Sequence, residues 1–115
     1  MGVSINYVAK RQSPLSSEEE RVIRQRTDIS NQEFAKKEIR GELFRLYDQH
    51  ESPDVIFEGA TKLPLTSQED IWFAVQYWCA LLSDIRRALG GQWEVRVEDH
   101  NIQWDEEIAA YDPSK

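Results

Sequence analysis

The sequence predicts an α+β domain in which a long central helix packs on a small mixed or antiparallel sheet, with a C-terminal β-hairpin. Three observations lead there. Strand-like alternation opens the chain at Val3-Ser4-Ile5-Asn6-Tyr7 and returns at Trp93-Glu94-Val95-Arg96-Val97-Glu98. Between them, residues 71–82 are apolar at every position except Gln76, as in a helix covered on several sides. Capping signals precede the helical stretches, and glycine or turn residues follow them.

Taken in order, Val3, Ile5 and Tyr7 give a first strand one buried face. Pro14-Leu15-Ser16-Ser17-Glu18-Glu19-Glu20 then reads as a helix entrance. A serine hydroxyl accepts an orphan N–H there, and acids in the first turn suit the helix dipole. Val22 and Ile23 supply the inner face of this short helix. A second entrance is expected at Ser30-Asn31-Gln32-Glu33, where Ser30 and Glu33 have capping-box spacing and Ile29 and Phe34 sit at the staple positions. From it Ala35, Ile39, Leu43, Leu46 and Tyr47 recur at helical spacing, so an amphipathic helix is expected to run to about Asp48 despite Gly41.

Glu51-Ser52-Pro53-Asp54 is turn chemistry, Val55-Ile56-Phe57 a short buried strand, and residues 59–64 are expected to be irregular. Thr66-Ser67-Gln68-Glu69-Asp70 opens the central helix, which Ile85, Ala88 and Leu89 extend to Gly90-Gly91. Residues 93–98 and Ile102-Gln103-Trp104 form the expected hairpin, with Asp99-His100-Asn101 as its turn. The remainder, from Asp105, is expected to be a short helical turn or an ordered tail. Residues 1–115 read as a single α+β domain, since a chain of 115 residues buries enough surface for one core and not for two.

The net charge of −7 argues against nucleic-acid binding and against attachment to an anionic membrane surface, both of which depend on Lys and Arg. No apolar run approaches the about 20 residues that span a bilayer. The first residues lack the charge and apolar core of a signal peptide, and Asn6 stands where N-myristoylation wants Ser or Thr. Cys79 is the sole cysteine, so no intrachain disulfide forms and a cytoplasmic location is expected.

His50 and His100 lack a second His or Cys at ligand spacing, so neither a metal nor a cofactor is expected. No phosphate loop, nucleophile elbow or Cys-x-x-Cys pair occurs. His100 beside Asp99 is conceivable as a general base, though turn chemistry explains the tripeptide better. Cys79 falls in the apolar helix and reads as a small core residue. Trp72, Trp78 and Trp93 read as core aromatics, whereas Trp104, next to Asp105-Glu106-Glu107, is open to a second reading as an exposed aromatic anchor ringed by acids.

Charge distribution is the most informative feature. Of the net charge of −7, −5 falls in residues 90–115, where seven acids meet only Arg96 and Lys115. Such a surface steers a basic partner and mimics the phosphates it normally binds. The candidate binding residues are therefore Glu98, Asp99, His100, Trp104, Asp105, Glu106, Glu107 and Asp112. The size, the acidity, the lack of a catalytic motif and the run from Trp93 through His100 into Ile102-Gln103-Trp104-Asp105-Glu106 resemble small immunity proteins of bacterial toxin–immunity systems, including contact-dependent growth inhibition. The resemblance implies a cytoplasmic, non-enzymatic protein that binds a cognate toxin domain, often a nuclease, and blocks its active site or substrate-binding surface. Two alternatives are an acidic intracellular adaptor or regulatory subunit, and a small enzyme built on His100.

Overall fold

The computed structural model describes residues 3–37, 42–47, 52–64 and 67–114. Its elements run β1 (Ser4–Lys10), α1 (Ser17–Ala35), β2 (Val55–Lys62), α2 (Gln68–Leu89), β3 (Gln92–Val97), β4 (His100–Asn101), β5 (Gln103–Asp105) and β6 (Ala110–Asp112). The first four strands make an antiparallel sheet in the order β2-β1-β3-β4, and β5 and β6 pair as a separate ribbon. The α+β class is thus as the sequence predicts. Among the described residues no helix is long and apolar enough to cross a membrane.

The alternation of β1 works as expected: Ile5, Tyr7 and Ala9 are buried and face the helices. Tyr7 pairs with Gly59 on one side and Val95 on the other, so β1 is an interior strand of the sheet. Helix α2 contributes Ala74, Trp78, Leu82 and Ile85, all fully buried, to the core against this face. Helix α1 lies antiparallel to α2, because Arg26 pairs with Asp84 near one end while Tyr77 Oη donates to the Ser30 carbonyl (2.8 Å) and Phe34 meets Phe73 near the other.

One guanidinium fastens three element ends. The Nη1 group of Arg11 donates to Glu19 Oε2 (2.8 Å) and the Leu89 carbonyl (2.9 Å), and Nη2 to Glu19 Oε1 (2.8 Å) and the Pro14 carbonyl (2.9 Å). Its Nε completes the set on the Ser13 carbonyl (3.0 Å), so all five donors are used. Hydrogen bonding from Arg11 holds the Glu19 carboxyl down at about 2.

Four expectations need correction. The capping box is real at Ser16 and Glu19, but the helix it opens continues through Ser30 to Ala35. Ser30 is an interior helical residue, since no Gly or Pro interrupts residues 17–35 and the inner residues Ile23, Thr27 and Phe34 stay in phase. The expected helix over residues 30–48 does not form: residues 42–47 have no helical conformation, while residues 38–41 and 48 lie outside those described.

The second correction concerns residues 59–64, expected to be irregular, because β2 extends through Lys62 and the Leu63 N–H donates to the Val3 carbonyl (2.7 Å). Gly59 is there for close approach rather than for breaking a strand. A Cβ added at Gly59 would lie 2.2 Å from the Arg45 carbonyl oxygen.

The third correction lies in the hairpin, whose turn is Glu98-Asp99, with Glu98 at φ +54° and Val97 paired to His100. Pairing ends after Asn101 and a bond from the Ile102 N–H to the Val95 carbonyl, and β5 turns away to meet β6. The last concerns the tail, where the alternative of a helical turn fails and the ordered tail takes the form of a strand at residues 110–112.

The segment 42–47 is held against the inner side of β2. The Arg45 N–H donates to Thr61 Oγ1 (3.1 Å), the Thr61 hydroxyl lies 2.7 Å from Tyr7 Oη, and Tyr7 Oη donates to the Arg45 carbonyl. These bonds close a ring inside the core, where Tyr7 is 2% and Thr61 0% exposed. Phe44 follows inward and stacks on Tyr7 with centroids 4.5 Å apart.

Candidate functional site at the acidic pole

The start of α2, the β3–β4 turn and the residue after β6 meet at one pole. Ser67 caps α2 there, accepting the Asp70 N–H (3.1 Å), and fixes the helix axis; Thr66, also in the expected capping arrangement, lies outside the described residues. Between these elements is an apolar notch of about 280 Å³. Ile71, Trp72 and Val75 of α2 line one side, with Gln68 at the rim. Val97, His100 and Ile102 line the other, and Pro113 closes it.

Trp72 is 43% exposed, which makes it a large aromatic standing in solvent beside an apolar recess. It was expected in the core. Because α2 is apolar nearly all round, its sequence does not mark the face left uncovered beyond the strands. Acids flank the notch in sequence: Glu69 and Asp70 in the first turn of α2, Glu98 and Asp99 in the adjoining turn, and Asp112 before Pro113. Glu98, Asp99 and His100 are exposed. A notch of this volume suits one or two side chains rather than a larger ligand.

The eight candidate residues do not form one surface. Glu98, Asp99 and His100 lie at this pole, and Asp112 adjoins it. Asp105 ends β5, and Glu106 and Glu107 lie in the turn that follows, between β5 and β6, which is tied to the other end of α2 by Arg87 Nη1 donating to the Ala109 carbonyl (2.6 Å). From Trp72 to Arg87 the helix rises about 22 Å at 1.5 Å per residue.

Trp104 is half-buried. Arg86 lies over its ring at 4.1 Å, and Tyr111 meets it edge-on at 5.1 Å. Arg86 also donates to Tyr111 Oη (3.1 Å), so the aromatic pair packs the β5–β6 ribbon on α2. Of the two readings of Trp104, packing rather than an exposed anchor describes it, and the exposed tryptophan of the chain's described residues is Trp72.

Chemistry by the other candidate residues is constrained by burial. Cys79 is 2% exposed and its thiol is pushed up to about 12 by desolvation, which removes it as a nucleophile. Among the described residues no group of three or more His, Cys, Asp or Glu side chains is placed to hold a metal ion; His50 lies outside them. The pole offers an aromatic contact, a small apolar recess and carboxylates. Comparison with protein-family models, with curated proteins and with solved structures yields no match.

Proposed function

We propose that this chain is an immunity-type protein that binds a cognate toxin domain, of nuclease kind, in the cytoplasm and occludes its active site or substrate-binding surface. The observation that supports it best is the exposed Trp72 beside an apolar notch whose lining residues have acids next to them in sequence. An aromatic anchor in a recess with charge around it is the composition of an interface hot spot. Carboxylates at Glu98 and Asp99 suit a basic cleft that otherwise receives phosphates, and they raise the rate of encounter more than the final affinity. In this reading His100 and Ile102 supply the opposite wall, and no catalytic step is performed by the chain.

The test is co-expression with the product of the adjacent gene, scoring growth rescue and a co-purifying one-to-one complex. Trp72→Ala should weaken that complex by about thirtyfold or more, with the folded state intact. Glu98→Gln with Asp99→Asn should slow association and flatten its salt dependence, since exposed charges are screened beyond about 8–10 Å at physiological salt. A neighbour that is harmless alone yet binds at Trp72 moves the reading to an adaptor. No rescue and no complex ends the proposal.

A further inference from the structure

A second recess lies away from the acidic pole, between α1 and the 44–47 segment, and at about 610 Å³ it is the larger of the two. Its accessible apolar wall comes from Leu15, Leu46 and Tyr47, the last 47% exposed. Three carboxylates line it, Glu20 and Asp28 from α1 and Glu58 from β2, against one cation, Arg24. Glu20 and Asp28 have no ion-pair partner among the described residues. Thr27, on the same wall, is 8% exposed, and its hydroxyl has no hydrogen-bond partner among the described residues.

The far wall is built, not draped. The Phe44 N–H donates to Asn31 Oδ1 (2.8 Å) and Asn31 Nδ2 donates back to the Phe44 carbonyl (3.3 Å), which joins the segment to α1. The Tyr47 N–H donates to the Glu58 carbonyl (2.8 Å), which joins it to β2. Preformed walls lower the ordering cost of binding.

We infer that this groove receives an arginine-bearing segment of a partner protein. The aliphatic stem lies along Leu15 and Leu46, the planar guanidinium faces Tyr47, and its donors reach the carboxylates of Glu20 and Asp28. An ammonium lacks the planar fork that suits both an aromatic face and a carboxylate, so arginine is preferred to lysine. The inference rests on reading the chain as a protein binder and adds a second contact to it.

The test is an amide-shift titration of the whole chain with a capped Leu-Arg-Leu-Arg peptide and with its citrulline analogue, which keeps the shape and loses the charge. Shifts should centre on Arg24, Thr27, Asp28 and Tyr47, with the citrulline peptide weaker by about tenfold. Glu20→Gln with Asp28→Asn should weaken the arginine peptide by about three- to tenfold and leave the citrulline peptide unchanged. Glu98→Gln with Asp99→Asn should leave both unchanged. Equal binding of the two peptides, or shifts centred on residues 98–100 or 105–107, overturns the inference. So do groove shifts that grow with protein concentration alone, which would make a second copy the occupant. A failed titration with capture at Trp72 intact removes the groove only, and the converse result removes only the neutralising role.

Discussion

Replacing Tyr7 with Phe removes one oxygen from the ring of hydrogen bonds that holds residues 42–47 to the sheet. That oxygen donates to the Arg45 carbonyl and lies 2.7 Å from the Thr61 hydroxyl. Burial pushes the Tyr7 phenol well above its ordinary range, so it is a neutral donor at neutral pH. The phenylalanine fills the same space and keeps the stacking on Phe44, so the loss is polar alone. A hydrogen bond contributes about 0.5–1.5 kcal/mol net, and a buried group left without a partner costs about 1–3 kcal/mol. Two partners lose their contact, but the Thr61 hydroxyl can rotate, so the expected destabilisation is about 2–3 kcal/mol.

Urea unfolding followed by tryptophan fluorescence and circular dichroism measures it. With a slope of about 1–3 kcal/mol per molar, the midpoint should fall by roughly 1 M or more at unchanged slope. Thr61→Val should be destabilising too, and the double variant should cost less than the sum, because both changes break one ring. A Tyr7→Phe unfolding free energy within about 0.5 kcal/mol of the parent would refute the ring as a stabilising element. The same variant should loosen the Tyr47 wall of the groove.

Three further outcomes follow from the polar contacts. Glu19 is held at about 2 against an ordinary value of 4.5, so its contribution is complete above about pH 4.5 and is lost as pH falls toward 2. Glu19→Gln should flatten the stability profile across that window, and a parental slope retained in the variant would reassign the effect. Cys79 should resist a thiol reagent at about pH 8 while the chain is folded and react once in denaturant, because its thiol is buried and protonated. Rapid labelling of the folded chain would contradict the core placement. Arg86→Met removes the cation above Trp104, a contact of about 0.5–2 kcal/mol, and should speed hydrogen exchange at Trp104 and Tyr111 more than at Trp78. Unchanged protection of the ribbon would show that the guanidinium does not hold it.

The sequence made the antiparallel core legible wherever a pattern was long or chemically marked. The alternation in β1 and β3, the capping box at Ser16 and Glu19, and the α2 boundaries at Ser67 and Gly90 are all where the residues put them. The misreadings have physical causes. Ser30 and Glu33 have the spacing of a cap, but a helix already under way uses no cap, and the Ser30 carbonyl serves Tyr77 instead. Leu43, Leu46 and Tyr47 match a helical period by coincidence in a short window; all three are exposed, while Phe44 between them is the buried one.

The acids at residues 105–107 are near those at 98–99 along the chain and far from them in space, because β5 carries the backbone along α2 to its other end. Trp72, expected in the core, is exposed for a related reason. Which side of an all-apolar helix stays uncovered depends on how far the strands reach, and hydropathy does not encode that. The groove beside α1 is assembled from three separate stretches, with no local signature in any of them.

The place of β1 in the sheet order also sets a timetable. Of the strands in this sheet β1 is made first, and its two neighbours follow at an interval: β2 (Val55–Lys62) can cover one edge, while the other stays unpaired until β3 (Gln92–Val97) has been made. Pairings of such separation make folding slow relative to helical proteins of similar size. Until β3 emerges, one edge of β1 is open to chaperones, proteases and other nascent chains. The stretch of synthesis between the second and third strands is therefore the interval in which that edge stands open.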